Sequence, residues 1–297
     1  MKNFALIGVA GFIAPRHLQA IKDTGNNLVA ALDKFDSVGI MDSYFPQADF
    51  FTEFERFDRH LEKLRRQGKK IDYVAICSPN YLHDSHIRFA LRHGADAICE
   101  KPLVLNPWNL DALSELEKET GKRVFTILQL RLHPAIQQLK KEMDATSKGK
   151  HFNIDLKYIT SRGSWYHHSW KGDESKSGGI ATNIGVHFFD MLLWIFGNVI
   201  ENRAEIIEND HASGILKLER ATVNWSLSIN AEHLPENVKA EGKRTFRSLQ
   251  IEGREIEFSD GFTGLHTKCY EQILLGDGFG LDDAKPSIET VFKIRKA

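Results

Sequence analysis

The sequence contains few cysteines, and none of them has the spacing of a metal centre or a redox pair. Its 297 residues include three, Cys77, Cys99 and Cys269, with no CxxC among them. Cys77 and Cys99 end apolar runs, so we expect them to be buried small residues in a reducing compartment. The spacing therefore predicts neither a disulfide framework nor a thiolate metal site.

The sequence also lacks an excess of charge of either sign. Lys and Arg number 39, and Asp and Glu number 40, which gives a formal net charge of -1. A balanced charge provides no electrostatic footprint for nucleic acid or an anionic membrane. We therefore expect neither partner.

Long hydrophobic runs are missing as well. No stretch approaches the roughly 20 apolar residues that span a bilayer. The N-terminal MKNFALIGVAGFIAP holds two glycines and leads into a helical pattern without a cleavage site, unlike a signal peptide. These features predict a cytoplasmic protein without a membrane anchor.

The first 130 residues alternate short apolar runs with helical patterns that end at glycine. The apolar runs, which we predict as strands, cover residues 4–9, 27–32, 73–77, 97–99 and 124–128. Short strands buried on both faces and separated by helices are typical of a parallel sheet. The pattern predicts an α/β fold with a doubly wound Rossmann domain over residues 1–128.

The later half has a different periodicity. Apolar and polar residues alternate in 151–160, 214–218, 222–229 and 248–258, and an apolar helix is predicted over 186–196. Period-two alternation indicates antiparallel strands with one covered face. We predict a C-terminal α+β domain over residues 129–297 with a mostly antiparallel, open-faced sheet.

The segment LIGVAGFIAPRH follows the first predicted strand and opens a helix. Gly8 holds the first place of G-x-G-x-x-G, Ala10 the second and Ile13 the third, with an extra Gly11 between. The glycines let backbone N–H groups approach a pyrophosphate at the helix N-terminus. Asp33 ends the second strand, where it can accept hydrogen bonds from ribose hydroxyls and would repel a 2′-phosphate, which favours NAD over NADP.

Two further segments end predicted strands of the same domain. CSPNYLHDSH follows the third strand, and ICEKPLVL places Glu100 and Lys101 after the fourth. Ligands bind outside the carboxyl ends of the strands in such sheets. These segments are therefore predicted to line a ligand.

The order of the motifs resembles the Gfo/Idh/MocA oxidoreductase family. The glycine turn is followed by SPNYLH, by EKPL and, in the second half, by GGIATNIGVHFFD. The resemblance covers essentially the whole chain. Residues 76–113 are most similar to the WlbA/WbpB group, whose members oxidise the 3″-hydroxyl of UDP-N-acetyl-2-amino-2-deoxy-D-glucuronate with NAD during bacterial lipopolysaccharide synthesis.

The resemblance implies that Lys101, Asn183 and His187 surround the reacting hydroxyl, with Asp190 one helical turn beyond His187. Oxidising a secondary alcohol needs a base for the O–H proton and a hydride acceptor facing the C–H. Many members have Asp where this chain has Asn183, and Asn supplies no charge to hold Lys101 as an ammonium. We expect Lys101 to titrate more easily here, and the base remains open between Lys101 and His187.

The resemblance also implies a set of cofactor contacts in the first domain, with Glu100 nearer the nicotinamide ribose. The implied set is Gly8, Gly11, Phe12, Ile13, Asp33, Ser78, Pro79, Asn80, His83, Glu100, Lys101 and Gln129.

A sugar substrate with a diphosphate and a carboxylate needs cations and aromatic faces. The cations that suit it are Arg131, Arg162 and Lys171, because arginine makes forked contacts with such groups. The aromatic residues of SWYHHSW, including Trp170, are expected to close over the uridine or the sugar ring. The predicted substrate-binding set is Lys101, Arg131, Trp165, Tyr166, Asn183 and His187.

Metal binding is not expected from the adjacent histidines His167 and His168. Neighbouring side chains in a strand or helix point apart, and no Cys, Asp or Glu completes a ligand set.

Two other functions stay open: a dehydrogenase of a free sugar or cyclitol, and a catalytically silent NAD-binding regulator. The presence of both Lys101 and His187 argues against a catalytically silent protein. The resemblance further implies a homotetramer assembled through the open face of the sheet, and 2-oxoglutarate as a partner that recycles the cofactor.

Overall fold

The computed structural model describes residues 1–147, 149–258 and 261–297 and divides into two compact units. The first unit contains Met1–Val104, Trp108–Gln129 and Thr263–Ala284, and the second contains Leu105–Pro107, Leu130–Phe262 and Lys285–Ala297. The predicted domain boundary after residue 128 differs by one residue from the structure, where the first unit extends to Gln129 before the chain enters the second unit. The return of 263–284 to the first unit was not foreseen, because no local pattern distinguishes that segment.

The first unit contains a six-stranded parallel sheet of order β3-β2-β1-β4-β5-β6. Its strands are β1 (Asn3–Ile7), β2 (Asn27–Leu32), β3 (Asp49–Phe51), β4 (Tyr73–Ile76), β5 (Asp96–Cys99) and β6 (Val124–Thr126). The predicted Rossmann-type sheet is confirmed. The edge strand β3 was not predicted, because three half-buried or exposed residues have no readable periodicity.

Helices of the first unit pack their apolar faces on this sheet. They are α1 (Ala14–Asp23), α2 (Met41–Tyr44), α3 (Phe54–Arg66), α4 (His83–Arg92), α5 (Trp108–Thr120) and α11 (Leu265–Leu275). The late helix α11 adds Tyr270, whose ring stacks 5.8 Å from Phe4 of β1. The hydroxyl of Tyr270 lies 2.7 Å from Nδ1 of His17 on α1, which anchors α11 to the helix that follows the glycine turn.

The second unit contains a six-stranded mixed sheet of order β12-β11-β7-β10-β9-β8. Its strands are β7 (Phe152–Thr160), β8 (Val199–Ile207), β9 (His211–Leu218), β10 (Ala221–Ser228), β11 (Thr245–Ile251) and β12 (Arg254–Glu255). Among the strand pairs that the structure describes in this sheet, only β7 and β10 run parallel, so the mostly antiparallel sheet is confirmed. The edge strand β8 was not predicted, because most of its side chains are exposed and do not alternate.

One apolar helix forms the centre of the second unit. The helices here are α6 (Pro134–Ala145), α7 (Trp165–His168), α8 (Glu174–Ser177), α9 (Val186–Phe196), α10 (Glu236–Ala240) and most of α12 (Leu281–Lys296). The ring of Phe189 on α9 packs edge-on against Trp225 of β10 at 5.3 Å. A Cβ on Gly185 would lie 2.5 Å from Leu227, so glycine there lets α9 approach the sheet closely.

The segment Glu174–Phe196 is long enough to cross a membrane, with a mean hydropathy of 1.4 over its most apolar window. However, 78% of the window is buried inside the protein, so the segment is read as the core helix of the second unit.

Candidate functional site

Gly8 brings the turn after β1 against the end of β4. Its φ is +92°, a conformation that L side chains rarely adopt. A Cβ at this position would lie 2.6 Å from the backbone carbon of Cys77 and 2.7 Å from the nitrogen of Ser78. Gly8 therefore leaves a cradle of bare backbone at the start of α1, as an approaching pyrophosphate requires.

Asp33 holds the same turn from the end of β2. Its Oδ2 accepts the N–H of Ala10 at 3.0 Å, and its Oδ1 accepts the N–H of Phe35 at 3.0 Å. The side chain is half-buried, and each carboxylate oxygen has further lone pairs for a ribose hydroxyl. The predicted preference for NAD over NADP has this negative charge as its physical basis.

The SPNYLH segment is organised by two buried histidines. Oγ of Ser78 lies 2.8 Å from Nδ1 of His86. The ring nitrogens of His83 lie 2.8 Å from the Ser78 carbonyl and 2.7 Å from the Pro102 carbonyl. His83 was predicted to line the cofactor, and its observed contacts tie this segment to the chain that follows Lys101.

We expect the burial of His86 to make the protein sensitive to acid. Burial lowers the pKa of His86 from 6.5 to about 4. Below pH 6.5 the imidazole of His86 is protonated in the unfolded chain, whereas burial keeps it neutral in the folded protein down to about pH 4. The stability that depends on the neutral imidazole is therefore complete above pH 6.5 and lost as pH falls through about 4. Wild type should lose on the order of 3 kcal/mol of unfolding free energy from this group.

Urea unfolding at pH 7 and pH 4 measures this loss. The His86→Asn variant, which keeps an acceptor near Ser78, should lose less unfolding free energy between the two pH values than wild type. The exposed His168→Asn is the matched control and should behave as wild type. Equal losses in wild type and His86→Asn would contradict the prediction.

Glu100 is buried and held by two imidazoles. Its Oε1 lies 2.9 Å from Nε2 of His17 on α1 and 2.9 Å from Nε2 of His266 on α11. Burial alone would raise the pKa of Glu100, but the two imidazole donors hold it well below its usual range. Oε2 accepts the backbone N–H of Lys101 at 3.2 Å, so the ionised carboxylate fixes the chain from which Lys101 projects.

Three potential metal-ligand atoms of His17, Glu100 and His266 lie within 4.8 Å of one another. None of these three residues was predicted as a metal ligand. The contacts of 2.9 Å between each imidazole and the carboxylate are hydrogen-bond distances, and they leave the buried charge satisfied. We therefore interpret the cluster as a support for Lys101. The predicted contact of Glu100 with the nicotinamide ribose stays a prediction.

The remaining predicted cofactor residues of the first unit differ in burial. Phe12 is 91% exposed at the tip of the glycine turn. The Oε1 atom of Gln129 is buried without a hydrogen-bond partner among the described residues. An orphaned amide oxygen, the bare cradle at Gly8 and the carboxylate of Asp33 suit the amide, pyrophosphate and ribose of a dinucleotide, so this residue set fits NAD.

In the second unit, Asn183 and His187 flank the start of α9. Asn183 lies in a π-helical turn, Ala181–Gly185, a rare geometry that is frequent at functional sites. Its Nδ2 donates to the hydroxyl of Tyr166 at 2.6 Å, which fixes the orientation of the amide. The half-buried His187 packs 4.3 Å from Phe188 and edge-on to Tyr158 at 6.2 Å.

Arg131 has a different environment from the one expected of a substrate cation. It is buried and forms a forked pair with Asp190, with Nε to Oδ2 at 3.0 Å and Nη2 to Oδ1 at 2.7 Å. Asp190 lies one turn after His187 on α9. The pair balances both charges and fixes the helix that carries His187, and direct substrate binding by Arg131 stays a prediction.

The loop around α7 places its aromatic residues in two environments. Tyr166 is buried, whereas Trp165 is 53% exposed. Nζ of Lys171 lies 5.4 Å from the Trp165 ring and 5.2 Å from the Trp170 ring, a cation–π arrangement. Arg162 is exposed.

Sequence reasoning missed His17, His266 and Arg247. His17 stands on the buried face of α1, and a polar residue on an apolar face is the one signal that marks it. His266 has no such signal, because the helix that carries it was not predicted. Arg247 occupies an inward position in an alternating strand, where a cation is unexpected.

Two family models match the chain. One, described as an oxidoreductase family with an NAD-binding Rossmann fold, matches residues 2–128, and the other, described as the C-terminal alpha/beta domain of that family, matches residues 149–224. Together they define an NAD-binding oxidoreductase. The chain belongs to the Gfo/Idh/MocA oxidoreductase family, as the order of its motifs predicted.

The solved structures that are similar to this chain include a specific group of dehydrogenases. The WlbA (WbpB) dehydrogenase from Thermus thermophilus is 50% identical, with a TM-score of 0.96 over 99% of this chain and 95% of that chain. Its structures are complexes of NAD with alpha-ketoglutarate and of NAD with UDP-GlcNAcA. The WlbA dehydrogenase from Bordetella pertussis, at 19% identity and a TM-score of 0.77 over 99% of this chain and 95% of that chain, shares the fold.

Curated relatives are more distant. D-glucoside 3-dehydrogenase from Escherichia coli is 26% identical over 43% of this chain and 36% of its own length. Inositol 2-dehydrogenase from Rhizobium meliloti is 27% identical over 66% of this chain and 55% of its own length. The matches thus span about a third to a half of these relatives.

Proposed function

We propose that the protein oxidises the 3″-hydroxyl of UDP-N-acetyl-2-amino-2-deoxy-D-glucuronate to the 3-keto sugar with NAD. The observation that carries the proposal is the 50% identity over 99% of the chain to a dehydrogenase solved with NAD and UDP-GlcNAcA. The EKP lysine and the histidine of the G-G…G-x-H-x-x-D block are both present in this chain. These residues supply the groups that alcohol oxidation needs.

In this proposal each predicted residue has a chemical task. The chemistry supplied by bound NAD is acceptance of the hydride from the carbinol carbon. Lys101 takes the hydroxyl proton, with His187 as the alternative base. The amide of Asn183, oriented by Tyr166, hydrogen-bonds the substrate. Glu100 holds the backbone of Lys101 through its buried network.

The biological setting belongs to the same proposal. The keto sugar feeds synthesis of acidic amino sugars of bacterial lipopolysaccharide in the cytoplasm. A homotetramer is proposed from the family resemblance. Recycling of the reduced cofactor by 2-oxoglutarate is supported by the related dehydrogenase that was solved with NAD and alpha-ketoglutarate.

Turnover with defined substrates tests the proposal. Purified protein is incubated with NAD and the UDP-sugar acid, with and without 2-oxoglutarate, and NADH fluorescence and product mass are recorded. We expect a keto sugar lighter by the two transferred hydrogens. Turnover of a free sugar or cyclitol in place of the nucleotide sugar would contradict the proposal, as would NAD binding without turnover of any of them.

The pH dependence of kcat/KM separates the two possible bases. We expect His187→Asn to lower kcat about 10²-fold while the ionisation that limits the wild-type profile remains, because Lys101 still titrates. The exposed His168→Asn is the control. If that ionisation vanishes in His187→Asn and persists in Lys101→Met, His187 is the base and the lysine assignment is wrong.

A further inference from the structure

Arg247 on β11 is enclosed by aromatic rings. Its guanidinium carbon lies 4.5 Å from the ring centre of Phe262, 5.4 Å from Phe258, 5.5 Å from Tyr158 and 5.9 Å from Phe188. We call Arg247 and these four rings the arginine cage. Stacking on ring faces leaves the N–H edge of a guanidinium in its own plane, where it can donate forked hydrogen bonds.

The pairing of strands brings the cage to the predicted catalytic histidine. Arg247 lies directly opposite Tyr158 in the antiparallel pair of β11 and β7. The ring of Tyr158 packs edge-on to His187, and Phe188 packs on His187 from the next position of α9. The cage therefore shares two rings with the surroundings of His187.

The charge of Arg247 is poorly balanced within the protein. No carboxylate lies within ion-pair distance of it in residues 1–147, 149–258 and 261–297. Its Nε atom is buried without a hydrogen-bond partner in the same residues. Burial lowers the pKa of Arg247, and the Tyr158 hydroxyl and the charge of Glu257 offset this only in part.

Arg131, in contrast, is a buried arginine whose charge is balanced by an acidic residue of the protein. Asp190 satisfies Arg131 with two hydrogen bonds, and such a pair needs no ligand. A cation that is desolvated without an acidic partner costs stability. A desolvated cation beside a catalytic site is explained if an anionic ligand pairs with it there. Arg247 is half-buried, so a ligand can reach its edge.

We propose that Arg247 binds the carboxylate of an acidic ligand next to His187. This chemistry fits the carboxylate of the sugar acid, and it fits equally a free 2-oxo dicarboxylate that occupies the same place when the cofactor is recycled. The identification of the sugar acid as a ligand rests on the proposed function.

Steady-state kinetics of Arg247→Gln test the proposal, with Arg247→Lys as the variant that keeps the charge and loses the fork. The exposed Arg244→Gln, three residues earlier, is the matched control. If the sugar acid is the ligand, Arg247→Gln should raise KM for it about 100-fold and leave binding of UDP-N-acetylglucosamine, which has the diphosphate but no carboxylate, unchanged. If the dicarboxylate is the ligand, the same rise appears in KM for 2-oxoglutarate. Arg247→Lys should be intermediate, and Arg244→Gln should match wild type.

Calorimetric binding of 2-oxoglutarate and of the UDP-sugar acid, without turnover, separates this proposal from the proposed function. Carboxylate binding that is present in wild type and lost in Arg247→Gln supports the role of Arg247 even if the sugar is not oxidised. Unchanged binding of both acids in Arg247→Gln overturns it. Equal weakening of the acids and of UDP-N-acetylglucosamine, with a lower Tm in Arg247→Gln and Arg247→Lys alike, also overturns it and assigns the cage to packing.

Discussion

Replacing Lys101 with methionine is expected to lower kcat by about 10³-fold to 10⁴-fold, because the variant keeps the length of the side chain and loses the group that takes the proton. Glu100 holds Lys101 through the backbone N–H, which methionine retains, so the fold around the site should persist. Because Lys101 is also one of the predicted cofactor contacts, NAD affinity should fall far less than kcat. Stopped-flow and steady-state NADH formation measure the loss.

The matched control is Lys118→Met, an exposed lysine on α5 of the same unit. It should retain wild-type kcat and wild-type NAD affinity. An unchanged kcat in Lys101→Met would remove Lys101 from the mechanism. A loss of NAD binding equal to the loss of kcat would assign it to the cofactor instead.

The second large effect is expected at Gly8. Alanine there must adopt a φ of +92° and place its Cβ within 2.7 Å of three backbone atoms of Cys77 and Ser78. The left-handed conformation costs about 1–2 kcal/mol and the steric overlap about 1–3 kcal/mol, so Gly8→Ala should lower the unfolding free energy by about 2–5 kcal/mol. The cradle for the pyrophosphate is filled at the same time, so NAD binding should be abolished.

Gly68→Ala separates the two causes. Gly68 follows α3 with a φ of +75°, and no heavy atom lies within 4 Å of the position its Cβ would take. This variant should show only the conformational cost, about 1 kcal/mol, with normal NAD affinity. Urea unfolding and NAD titration measure both quantities. Similar stability and affinity of Gly8→Ala and Gly68→Ala would show that the close approach at Gly8 is unimportant.

Some features of this protein can be predicted from short stretches of sequence. The alternation of β7, with buried Phe152, Ile154 and Leu156, marks a sheet with one covered face, since side chains alternate with period two. The turn at Gly8 and the acid at Asp33 are local patterns that predicted an NAD-binding domain. The EKP and GVH motifs indicated the family, because each keeps its chemical groups within a few residues.

Other features depend on contacts between distant segments. Glu100 is satisfied by His266, 166 residues away, and by His17, 83 residues away, so its buried network has no local signal. Arg131 pairs with Asp190, 59 residues away, a contact that no local pattern predicted, and its binding of the substrate stays a prediction.

The sequence by itself determined the two sheet types, the cofactor class and the chemical groups of the family motifs. Tertiary structure alone decided which charged side chains are paired inside the protein, such as Arg131, and which keep a buried donor without a partner among the described residues, such as Arg247. The physical reason is that periodicity reports whether a position is buried, whereas the partner of a buried charge is whichever donor or acceptor the long-range fold brings within hydrogen-bond distance.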